Sequence, residues 1–141
     1  RGCVRRGPSL AGAQPARWAR LVVTRPGAGA VNFAGETQLA WGHGDDRGEF
    51  LIVLGTPALP GGVVLPPAID LRLWVFLGPP AFSAADPLAS LPLEVAGSDP
   101  LNDVLRGTAI AAAYVLQTAF VDLTLRPGES LGVNDADLLF A

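Results

Sequence analysis

The sequence predicts an all-β domain: a two-sheet β-sandwich of about seven strands, with one short helix and long Pro-rich loops. Three observations carry this. Residues 36–54, ETQLAWGHGDDRGEFLIVL, read as strand, tight polar turn and strand: Thr37, Leu39 and Trp41 alternate with Glu36, Gln38 and Ala40 before Gly and Asp supply turn chemistry. Residues 68–77, AIDLRLWVFL, alternate again. Ile69, Leu71, Leu73, Val75 and Leu77 share one apolar face, and Asp70, Arg72, Trp74 and Phe76 share the other. Short apolar runs recur between turn signals along the whole chain without an internal repeat, which is the pattern of a sandwich.

Residues 1–16 are rich in Gly, Pro, Ala and Arg and are expected as an irregular arm with one short strand near 3–5; residues 17–141 are expected as a single domain. The first strand is 18–25, WARLVVTR, β-branched at its centre and closed by Pro26-Gly27. Residues 28–34 continue as loop or weak strand into the 36–54 hairpin. In 55–67 there are four prolines and three glycines. Proline has no ladder donor, so this stretch is a loop or an edge.

After the 68–77 strand, 78–93 form a long Pro/Ala/Ser connection, and 93–96 form a short strand. Ser98-Asp99-Pro100 opens a helix of about two turns, with Leu101, Val104 and Leu105 as its stripe and Gly107 as its stop. The alanines of 108–126 favour helix, yet Ala119, Val121, Leu123 and Leu125 alternate with Thr118, Phe120, Asp122 and Thr124. Strand is expected over 114–125 and more weakly over 108–113. Pro127-Gly128 turns the chain, and a strand restarts over 130–133. The tail holds an Asp-rich turn, then Leu138-Leu139-Phe140, an apolar triplet expected to tuck into a sheet or a neighbour.

Composition narrows the class of function. The chain of 141 residues is half hydrophobic and only 16% charged, against about 25% in an ordinary soluble domain. So little charge covers a surface poorly, which points to burial against neighbours in an oligomer or larger assembly. All ten basic residues are Arg, and the net charge is −3. No basic patch dominates, so nucleic acid is not an expected partner. Cys3 is the lone cysteine and makes neither an internal disulfide nor a cysteine-based metal site. Every apolar run is broken before about 18 residues, so no membrane span is expected. No signal-peptide pattern is visible; cytoplasmic assembly and secreted particle both stay open, as do residues ahead of Arg1, which stands where Met would be.

Catalytic constellations are sparse. His43 is the only histidine and sits between Gly42 and Gly44, a turn position. None of Ser83, Ser90, Ser98 or Ser130 lies in a G-x-S-x-G elbow. Glu36, Glu49 and Glu94 are read as lying on solvated strand faces. Gly27-Ala28-Gly29 is a turn, not a phosphate cradle. Asp45-Asp46 and the Asn134, Asp135, Asp137 group supply oxygen ligands of the kind calcium takes, if the fold brings the two turns together; as turn caps they need no metal. No cofactor is expected. Trp41, Trp74 and Phe76 are the aromatic candidates for a partner surface, and Leu138, Leu139 and Phe140 the apolar ones.

The turn Asp45-Asp46-Arg47-Gly48-Glu49-Phe50 resembles the D-x-x-G-x-F turn of carboxypeptidase-regulatory-like domains, which are transthyretin-like β-sandwiches. Residues 15–23, PARWARLVV, resemble the preceding strand of that family, and 123–129, LTLRPGE, its late strand and Pro-Gly turn. The family's usual Gly-x-Tyr strand after the hairpin is replaced here by the Pro-rich 57–67 and the apolar 69–77 strand. Arg17-Trp18-Ala19, the hairpin and the long Pro-rich middle are similar to a divergent subset encoded beside phage-tail-like contractile particles. The resemblance implies a non-catalytic structural or accessory subunit, associating with protein partners through apolar sheet surface, edge strands and terminal arms. The alternative expectation is a carbohydrate- or surface-binding module using Trp41, Trp74 and Phe76.

Overall fold

A computed structural model describes residues 1–55, 66–78 and 114–141. Among them the chain is all-β: ten strands in three sheets, with short 3-10 turns and no α-helix. Nor is any described helix long and apolar enough to cross a membrane. The expected loop at 55–67 is described only at its ends, and the 78–93 connection only at Gly78; the 93–96 strand, the helix from Ser98 and the weak strand at 108–113 lie outside the described residues.

The main sheet is built on β4 (Arg20–Arg25), which runs antiparallel to both β5 (Thr37–His43) and β7 (Ile69–Leu77). Its β-branched centre suits a strand buried on both faces. The far side of β7 pairs with two short strands, β8 (Val115–Leu116) and β9 (Val121–Leu125). The continuous strand expected over 114–125 is therefore interrupted at 117–120. Leu39 is an extra residue on β5, since Val23 pairs with Ala40 and Thr24 with Gln38. Such a bulge bends and twists the strand.

The arm and the tail are structural. β1 (Gly2–Cys3) pairs with β6 (Glu49–Phe50), and β2 (Arg5–Arg6) lies between β3 (Gln14–Pro15) and β10 (Leu139–Phe140). Val4, Ala16, Phe50, Leu138 and Phe140 join Leu21, Val23, Leu71, Leu73 and Val75 in one buried cluster. This is the apolar face read from 68–77. The tail triplet does tuck into a sheet, that of its own arm.

Residues 36–54 are not one hairpin ladder. Their two arms enter different sheets, β5 pairing with β4 and β6 with β1. The turn explains the departure. Asp45 Oδ1 accepts the amides of Arg47 and Glu49, both at 2.8 Å, which closes the turn on itself. Gly48 takes φ +74°, a region open to glycine, and its carbonyl accepts the Val4 amide at 2.8 Å. The chain is thereby handed to the arm. Residues 130–133 likewise form no strand. Their backbone bonds go to Arg1: its amino terminus donates to the Leu131 carbonyl, and Val133 N–H donates to its carbonyl.

Ile52 packs directly on Gly42 of β5. A Cβ at position 42 would overlap Ile52 Cγ1 and lie 2.9 Å from its Cδ1. Gly42→Ala is therefore expected to cost about 1–3 kcal/mol through overpacking. In an Ile52→Ala background that cost is expected to vanish. Urea unfolding of the four proteins checks it; an equal cost in both backgrounds refutes the contact.

Candidate functional site

Among the described residues, the second face of the main sheet carries the most concentrated chemistry. Alternation on β4 and β7 sets Thr24 opposite Arg72 and Val22 opposite Trp74. A 3-10 turn, Phe33–Gly35, is capped by the Asn32 side chain, which accepts the Ala34 amide. It brings Phe33 edge-on to Trp74 and Phe76, at ring separations of 5.7 and 5.1 Å. It also delivers Glu36 to the sheet.

Glu36 was expected on a solvated face. It is buried instead, its side chain 3% exposed. Oε1 pairs with Arg72 Nη1, and Oε2 accepts from Thr24 Oγ1 at 2.5 Å and Trp74 Nε1 at 2.9 Å. Trp74 Nε1 also lies 3.0 Å from Thr24 Oγ1. Arg72 Nε donates to Asp122 Oδ1 on β9 at 2.7 Å, and the guanidinium sits 4.5 Å from the Phe120 ring centre. The cluster thus runs from a dry carboxylate to Asp122, whose side chain is 62% exposed.

Electrostatics follow from this geometry. Burial by itself pushes the Glu36 carboxyl up, but the Thr24 and Trp74 donors and the Arg72 charge outweigh it and hold the group below its ordinary value. The hydrogen bond to Asp122 and the Glu36 charge raise Arg72 further. A carboxyl lowered on folding contributes stability above its unfolded value of about 4.3 and loses it as pH falls through the folded value. The stability difference between the wild-type chain and Glu36→Gln should therefore be largest at neutral pH and shrink below about pH 4. Urea unfolding followed by tryptophan fluorescence checks this; a difference independent of pH refutes it.

Chemically, the cluster is a buried ion pair. Both Glu36 oxygens are engaged, and among the described residues no Ser, Cys or His belongs to it. A nine-residue strand that is apolar except for Asp70 and Arg72 was the available signal, because a buried guanidinium demands a carboxylate. Sequence reading missed the partner because Glu36 lies outside that strand.

The residues singled out from sequence fall in separate places. Trp74 and Phe76 are buried, and Trp41 is half-buried against the same aromatic cluster. Leu138 and Phe140 are buried in the arm-and-tail core, and Leu139 is half-buried. His43 ends β5 opposite Arg20 and is exposed. Asp45 caps its own turn, Asn134 accepts the Ala136 amide, and Asp135 pairs with Arg5 at 3.1 Å. Among the described residues no group of three or more His, Cys, Asp or Glu side chains is placed to hold a metal. Cys3 Sγ lies 3.4 Å from the Arg47 carbonyl, and burial pushes its thiol up.

In comparison with known proteins, the chain matches no family model, no curated protein and no solved structure.

Proposed function

We propose that this chain is a non-catalytic structural or accessory subunit of a larger protein assembly, a transthyretin-like β-sandwich that meets its partners through sheet edges and apolar rim residues. One observation carries the reading: large apolar side chains stand in solvent beside strands with open edges. Val115, on β8 at the margin of the main sheet, is 64% exposed; Leu51 and Val53, just beyond β6, are 68% and 77% exposed. Among the described residues β5 and β9 each pair on one side only. Low charge supports the same reading, since only 16% of residues are charged. The arm and the tail serve it from within, Val4, Ala16, Leu138 and Phe140 being buried in the chain's own core.

Light scattering over a concentration series, followed by negative-stain imaging, tests the proposal. A mass well above 14.5 kDa, with rings, tubes or filaments, is the expected result. A monomer at every concentration overturns it.

A further inference from the structure

We propose that residues 51–55 of two copies of this chain pair as antiparallel β-strands about a two-fold axis centred on Val53. The proposal rests on the assembly reading above and names its partner as a second copy. Burial alternates along the segment: Leu51, Val53 and Gly55 are exposed, while Ile52 and Leu54 pack against the core. That is the pleat of a strand continuing from β6. Yet the β1 ladder stops at the Gly2–Phe50 pair, and no backbone hydrogen bond of 51–55 reaches another described residue.

Which edge is offered follows from the turn. The Glu49 carbonyl accepts the Asp45 amide, and the Glu49 amide donates to the Asp45 carboxylate, so both point away from β1. Alternation carried forward aims the amide groups of Leu51, Val53 and Gly55 to that same side. Self-pairing there obeys the face rule. Centring on Val53 sets Leu51 opposite the second copy's Gly55 and Ile52 opposite its Leu54, so exposed residues meet exposed ones and core-facing residues meet core-facing ones. A one-residue slip would mix the faces. The arrangement is isologous and closes as a dimer. Residues 51–55 carry no charge and no proline, so two copies meet without repulsion or a missing ladder donor. Gly55 leaves room for the facing Leu51. Backbone hydrogen bonds give the affinity, and Val53 and Leu51 give the register.

Mass measurement and cross-linking decide it together. The wild-type chain is expected at twice its monomer mass, or in multiples of that dimer. Val53→Arg sets two guanidinium groups together at the axis and should weaken the dimer by about a hundredfold or more while circular dichroism stays unchanged. In a Cys3→Ser background, Val53→Cys should give a covalent dimer under mild oxidation, because each thiol faces its own copy. Leu51→Cys, facing Gly55, should not. A large species unaffected by Val53→Arg and not cross-linked through position 53 overturns this interface and leaves the assembly reading standing. A monomeric wild-type chain overturns both.

Discussion

Arg72→Met is expected to destabilise the fold by about 3–5 kcal/mol, the cost of leaving a buried carboxylate without its counter-charge. That is a large share of a domain's total of about 5–15 kcal/mol. Glu36 is 3% exposed at its side chain, so water does not replace the lost guanidinium. Losing Arg72 also strips the Phe120 ring of the group above it. The double variant Arg72→Met with Glu36→Leu should recover most of the loss. Removing both charges abolishes the desolvation problem, and the polar groups left behind already face one another: Trp74 Nε1 lies 3.0 Å from Thr24 Oγ1, and Thr24 Oγ1 lies 3.3 Å from the Arg72 carbonyl. Asp122 is exposed and keeps its water. Urea unfolding of the single and double variants measures the coupling. Additive losses would show that Glu36 and Arg72 do not act as a pair.

This ion pair marks the limit of what periodicity reports. In 69–77 strict alternation is enough to place five side chains on the core face and Arg72, Trp74 and Phe76 on the other, because the pleat leaves no third option. The Pro127-Gly128 turn is equally local: Gly128 takes φ +85°, and the Glu129 amide closes on the Arg126 carbonyl. Residues 36–54 are different. Turn chemistry dictates that the chain reverses at Asp45, not which sheet receives Phe50. That choice is made by Gly2 and Val4, far away in the sequence. Glu36 is misread for the same reason. It opens an alternating run whose neighbours Thr37 and Gln38 are exposed, and only a guanidinium arriving from β7 makes its burial favourable. Local chemistry is legible wherever the backbone answers to itself. Pairings between distant segments are not.

The same distinction decides the arm. Composition reads residues 1–16 as irregular, since Gly, Pro and Arg give no period. The arm is ordered by what it touches. Val4 is fully buried beside Leu21, Phe50 and Leu138; β2 is the strand partner of β10, and the Ala16 amide donates to the Val4 carbonyl. Deleting residues 1–16 is therefore expected to abolish cooperative folding instead of releasing a trimmed domain. The deletion removes Val4 and Ala16, opens Phe50, Leu138 and Phe140 to water, and takes the ladder partners from β6 and β10. Each large apolar side chain so exposed forfeits about 1.5–3 kcal/mol, and three such losses approach a domain's whole stability. The shortened chain should lack a sigmoidal urea transition and dispersed amide resonances. Adding the peptide of residues 1–16 in excess should restore both, because binding to the folded form alone draws the equilibrium toward it. A shortened chain that unfolds cooperatively without the peptide would refute this, and would mean that the main sheet closes its core face with the residues it keeps.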